Sequence, residues 1–136
     1  MPLSIIIDAP VQKVYDVLNK PNLNTDWNPA IDTISENKPG QCTVESFMGY
    51  FNTNKTTTPA PDRSITFTTD SPLLKELKYE LVVLSNNQTK VDSTVKLTVH
   101  YSTMHRTVGK KLLNNLKRYV EHLQSGLAPA DFHKEL

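Results

Sequence analysis

Over residues 104–124, Met104, Val108, Leu112, Leu113, Leu116, Tyr119, Val120 and Leu123 fall within roughly half the circumference of a helix at about 100° per residue. Arg106, Lys110, Lys111, Asn114, Lys117, Arg118 and Glu121 take the other half. An arc this broad exceeds a coiled-coil seam and needs a concave partner, such as a curved sheet that wraps the helix. Gly126 stands where a helix C′ residue is expected and Pro129 lies just beyond it. These signals predict a helix that ends near residue 124 and a loosely attached tail over residues 127–136.

The rest of the chain supplies such a sheet. From residue 30 to 101 the apolar period is two, and turn residues punctuate it at 37–40, 59–62, 70–72 and 86–87. Leu77, Tyr79, Leu81 and Val83 alternate on one face of a predicted strand, and Val91, Ser93, Val95, Leu97 and Val99 on one face of the next. Ile65 and Phe67 follow the same rule, which predicts antiparallel strands with one wet face. Residues 52–58 are threonine-rich with no apolar side chain, so that strand belongs at an edge or faces a polar cavity. Before the strands, a β-branched segment at 3–7 leads to a small amphipathic helix. Asp8 is its cap candidate, Pro10 marks its start, and Val11, Val14, Tyr15 and Leu18 form its apolar stripe. Residues 22–28 predict one more helical turn, because Asn and Asp cap well and Pro29 stops it.

Composition narrows the function. The 136 residues suit one domain, expected over 1–126. A net charge of +1 argues against a nucleic-acid binder and against an acidic disordered tail. The longest aliphatic run, Leu81 to Leu84, is far short of the roughly 20 residues of a membrane span, and the first seven residues carry neither a basic group nor a long apolar stretch. No membrane insertion and no secretion signal are therefore expected. Cys42 is the only cysteine, which excludes an internal disulfide and a cysteine-based zinc site and makes a reducing, cytoplasmic location the simplest expectation.

The element order, together with residues 5–18 (IIIDAPVQKVYDVL), the segment Trp27-Asn28-Pro29-Ala30-Ile31 and the helical LKRYVE at 116–121, resembles START-like proteins, the SRPBCC superfamily. The resemblance spans nearly the whole chain. It implies an α+β helix-grip fold: a seven-stranded antiparallel sheet wrapped around a long C-terminal helix, with two short helices after the first strand. It also implies an internal cavity for a lipid, sterol, polyketide or other largely apolar ligand. It does not imply one activity, since lipid-transfer proteins, aromatase/cyclases, hormone receptors and chaperone activators share the pattern.

The residues expected to line that cavity are Phe47, Phe67, Tyr79, Leu81, Val95, Leu97, Val99 and Tyr101 of the strands and Leu112, Leu116 and Tyr119 of the helix. Tyr79, Ser93, Tyr101 and Tyr119 are the polar handles, because a buried hydroxyl needs a partner. The bland alternative is that these side chains fill a solid core. An enzymatic reading of the cyclase/dehydrase kind would use Tyr79, Tyr101 or Glu45. Arg63, His100 and His105 are further candidates, for all of which ordinary rim or surface roles are the simpler expectation.

The chain has no nucleophile elbow, HExxH pair or Gly-rich phosphate loop. Nor do its histidines form an i, i+4 pair, so no catalytic metal or cofactor is expected. The last helix carries five basic residues against Glu121, an excess usually explained by solvation. The aromatic cluster at 47–51 could line a cavity mouth or dock a protein partner. The expected function is binding of a small apolar molecule, with cyclase/dehydrase chemistry or a ligand-free interaction module as alternatives.

Overall fold

The computed structural model describes residues 3–20, 24–46, 49–58, 63–97 and 102–135. Strand β1 (Leu3–Ile7) leads into helices α1 (Val11–Asn19) and α2 (Asn24–Trp27). Six further strands follow: β2 (Ile31–Lys38), β3 (Gln41–Ser46), β4 (Gly49–Thr58), β5 (Ser64–Thr69), β6 (Leu74–Ser85) and β7 (Gln88–Leu97). Helix α3 (Ser102–Gln124) comes last, then a 3-10 turn at Pro129–Asp131. The strands form one antiparallel sheet in the order β1-β7-β6-β5-β4-β3-β2. This is the α+β helix-grip arrangement, with β1 and β2 as the free edges.

Local chemistry sets the element ends. Pro10 starts α1 with the fixed φ that a first turn requires, and no side chain caps that end. Asp8, the expected cap, is used elsewhere: its N–H donates to Glu121 Oε2 at 2.8 Å and its carboxylate accepts from Gln88 Nε2 at 3.0 Å. Gly126 closes α3 with φ +84, and its N–H donates to Leu123 O at 3.0 Å while that of Leu127 donates to His122 O at 3.3 Å. The threonine-rich β4 is not an edge strand. It pairs with β3 on one side and β5 on the other, and its inward residues are Phe51, Thr53 and Lys55. Val83 was expected inside but is exposed, at the end of the β6–β7 ladder where the register shifts between Val83 and Ser85; Val82 and Leu84, on the opposite face, are exposed as well.

Helix α3 lies over one side of the grip. Leu113, Leu116, Tyr119 and Val120 pack with Ile7, Val14, Leu18, Trp27, Ile65, Tyr79, Leu81 and Val91 in the main core. A second apolar cluster, Cys42, Val44 and Phe51 with Ile31 and Ile34, sits apart on β2 to β4. Gly109 lets α3 pass close over β1: a Cβ there would lie 2.5 Å from Leu3 Cδ1, so the Leu3 side chain would have to turn aside. Mid-helix glycine costs about 1 kcal/mol of helix propensity relative to alanine, so close approach is what it contributes.

The segment expected to be a loose tail is docked over its described part. Phe132 packs edge-on against Tyr119 at 5.1 Å and His122 at 5.5 Å, under the Arg118 guanidinium. The Lys134 ammonium donates to Thr25 O at 2.8 Å, Asn28 O at 3.2 Å and Ile31 O at 3.3 Å, three carbonyls at the passage from α2 to β2. Asn115, almost fully buried, donates to Glu135 O at 3.1 Å and accepts from Glu135 N–H at 2.7 Å. The tail has few apolar residues, and the polar atoms it satisfies lie far away in sequence, which is why composition alone pointed to a free end.

Two predictions follow from these contacts. Asn115→Ala strands the Glu135 peptide groups and should cost about 1–3 kcal/mol in urea unfolding; an unchanged midpoint would mean that the tail adds nothing to stability. Asp70 accepts from the Asn52 N–H at 2.7 Å and from Asn52 Nδ2 at 2.9 Å, and the backbone hydrogen bond holds its carboxyl below the usual carboxylate range. A depressed native pKa gives stability that is present above about pH 4 and lost as pH falls further. Asp70→Asn should therefore flatten that acid limb in a pH series of thermal melts.

Candidate functional site

The cross-strand register stacks the inward residues into rows across the sheet. The first row is Ile34, Val44 and Phe51, and the second is Glu36, Cys42, Thr53 and Thr69. The third is Lys55, Phe67, Leu77 and Val95, and the fourth is Ile65, Tyr79 and Ser93. Every member except Ile65 lines one cavity of about 170 Å³. Val108, Gly109 and Leu112 of α3 close it from above, and Asn19 and Asn28 border it where α1 and α2 end. The cavity is the gap between the two apolar clusters, beneath the first half of α3.

Most of the wall is apolar, and its polar atoms are of two kinds. Some are already satisfied: the Thr69 hydroxyl donates to Leu74 O, Ser46 donates to Gly49 O at 3.2 Å, and Asn28 Oδ1 accepts from the Ala30 N–H at 2.9 Å. Asn19 Oδ1 is not: it is buried and unpartnered. Tyr79 is buried as a residue, and burial alone pushes its phenol pKa up. The Cys42 thiol is raised chiefly by burial and then by Glu36, against smaller opposing effects of Lys55 and Thr53, so it stays protonated near neutral pH. It is a wall group rather than a nucleophile.

The expected site residues divide into three sets. Phe67, Tyr79, Val95, Leu97 and Leu112 lie on the cavity wall, as does Ser93. Leu81, Leu116 and Tyr119 lie in the packed core beside it, because the cavity sits under the first half of α3 and these residues pack with its second half. The Tyr119 hydroxyl is already engaged, donating to Asp26 Oδ2 at 3.0 Å. Phe47, Val99 and Tyr101 fall outside the described residues, as does His100, and nothing is described of the His105 side chain. Glu45 accepts from Thr33 Oγ1 at 3.3 Å and Arg63 donates to Gln12 Oε1 at 3.4 Å, neither of them on the cavity wall.

Missing from the expected lining were Ile34, Cys42 and Val44 of the far wall, while Phe51, Thr53 and Lys55 come from segments for which a cavity-facing position was only one alternative. The signal was present as alternation of Cys42, Val44 and Ser46 across from Phe51 and Thr53, diluted by small polar residues. The basic face of α3 is also less free than its charge suggests. Lys117 pairs with Glu121 and donates to Ile6 O at 2.8 Å, while Arg118 covers Phe132 and donates to His133 O at 3.4 Å. Among the described residues no group of three or more His, Cys, Asp or Glu side chains could hold a metal ion, and no helix is long and apolar enough to cross a membrane.

By sequence, the chain matches no protein-family model and no curated protein. By structure, the match is extensive. A START superfamily protein from Mycobacterium smegmatis superposes with a TM-score of 0.66 at 16% identity, over 90% of this chain and 97% of that one. The Zhui aromatase/cyclase from a Streptomyces species gives 0.67 at 15% identity, over 94% and 98%. The di-domain aromatase/cyclase BexL gives 0.76 at 17% identity, over 91% of this chain and 47% of that one. The chain therefore has the START-like fold.

A pair of substitutions tests where the empty space lies. Val95→Phe places a ring in the cavity and should leave stability unchanged or raise it by about 1 kcal/mol. Leu116→Phe overfills a packed site and should cost about 1–3 kcal/mol. Equal losses in denaturant unfolding would show that the region under Val108 and Leu112 is as full as the core.

Proposed function

We propose that this protein binds a small, largely apolar molecule in the cavity between the sheet and the first half of α3, for transport or sensing. The carrying observation is an apolar wall onto which Asn19 brings a buried, unpartnered carboxamide oxygen. A buried carbonyl oxygen without a partner costs stability, and a ligand hydroxyl or N–H would supply one. Volume narrows the ligand class. The cavity, about 170 Å³, is below the roughly 300–1,000 Å³ of drug-sized sites and close to the about 150 Å³ cavity that holds benzene in an engineered protein. One ring or a short alkyl chain fits; a sterol or a fused polycycle would require the grip to open.

Cyclisation of a short polyketide-like chain is the second reading, favoured by the fold shared with two aromatase/cyclases. In that reading Glu36 and Lys55 are the ionisable groups on the described wall apart from Tyr79 and Cys42. A reducing cytoplasmic setting would keep Cys42 as the free thiol that packs in the wall.

Native mass spectrometry of freshly purified protein, followed by denaturing extraction, tests the binding reading. The expected result is a small apolar adduct that leaves on unfolding and is lost in Val95→Phe. A clean unliganded mass, joined by no binding of short fatty acids or single-ring aromatics in calorimetry, would overturn it and favour a protein-interaction module.

A further inference from the structure

The cavity wall carries one feature that an apolar ligand alone does not use. Lys55 is in the same register row as Phe67, Leu77 and Val95, so its side chain starts on the concave face among apolar neighbours. It is half-buried, and its ammonium donates to Asn19 O at 2.9 Å. That bond uses one of three donors. No carboxylate lies within ion-pair distance of it among the described residues, whereas Lys78, Lys90, Lys96 and Lys117 each have one. A half-buried cation with two spare donors has lost water on one side without gaining a counter-charge, an arrangement that a bound anion would complete.

The neighbouring groups fit the same reading. The Asn19 carboxamide lines the cavity with its oxygen unpartnered, and by turning over it can present either an acceptor or a donor. Thr53 and the Cys42 thiol occupy the adjacent row. Glu36 is the opposing charge at this end, but it is exposed and stays in water, where a carboxylate needs no partner. The cavity thus has an apolar body, formed by Phe67, Leu77, Val95 and Leu112, and a polar end formed by Lys55, Asn19 and Thr53.

We infer that the ligand is a compact amphiphilic monocarboxylate, with its apolar ring or chain in the body of the cavity and its carboxylate on the Lys55 ammonium. This inference rests on the cavity being a ligand site, and it adds the head group and the orientation.

Matched probes test it in isothermal titration calorimetry: octanoate against octanol and octylamine, and phenylpropanoate against phenylpropanol. The acids should bind about tenfold or more tightly than the alcohols, as expected for a hydrogen-bonded ion pair of partial burial. Lys55→Met should erase that difference and leave alcohol binding within about threefold, while Glu36→Gln should tighten acid binding a few-fold by removing the like charge. Alcohols that bind as well as acids, or an amine that binds better than both, would overturn the head-group assignment and leave the cavity reading standing. If none of the probes binds, the cavity reading fails and this inference with it. The comparison of acid and alcohol on the unaltered protein stands even if Lys55→Met does not fold.

Discussion

Helix α3 crosses β1 at close range, with Gly109 against Leu3, and the rest of the grip is arranged around that seat. With no Cβ at position 109, the helix descends onto the β1 edge of the sheet until Leu3 fills the space that a side chain would have used. Placed there, the second half of α3 buries Leu113, Leu116, Tyr119 and Val120 against β1, β5, β6, β7 and the short helices. The sheet, however, continues through β4 and β3 to β2, and among the described residues only the short α2, at β2, packs on those strands in place of a long helix. Their inward residues form a separate apolar cluster, and the space between that cluster and the helix is the cavity. Close seating on one side of the grip and vacancy on the other are thus one fact.

Polar groups then determine how firmly the vacant side is held. The wall segment that contains Asn28, Ala30 and Ile31 is tied to the tail by Lys134, which donates to the carbonyls of Asn28 and Ile31 and to that of Thr25 in α2. Asn115 anchors the next residue of the tail, and Phe132 anchors the tail two residues earlier. A lysine satisfying several carbonyls at once is worth more than its exposed counterparts in the surface pairs of β6 and β7, because those compete with water on all sides. The C-terminal segment therefore belongs to the cavity wall mechanically although it contributes no lining side chain.

The sequence carried the fold more openly than the site, for physical reasons. Period-two alternation and a wide helical arc are produced by burial itself, so Tyr79, Val95, Leu112 and Leu116 were all recognisable as inward-facing. Whether an inward residue meets another side chain or empty space depends on helix placement, which periodicity does not encode. Hence Leu116 and Tyr119 looked equivalent to Leu112 and proved to be core. On the far wall the difficulty was of another kind. Thr53 and Lys55 are polar on an inward face, and a polar residue in strand alternation reads as solvent-facing unless the register of its neighbours is known. The docked tail was hidden similarly, since Lys134 acts through backbone atoms about a hundred residues away.

The division of α3 into a packed half and a half that roofs the cavity has a consequence for how proteins of this shape diverge. Substitutions in the last three turns are screened by folding, because each fully buried side chain there contributes on the order of 2–5 kcal/mol to a fold that is only marginally stable. Val108 and Leu112 are only partly buried and border the cavity, so exchanging them alters the shape of the void at a smaller thermodynamic cost. One continuous helix can thus be conservative at one end and inventive at the other. Its inventive end lets the contents of the grip change across a lineage while the grip itself persists.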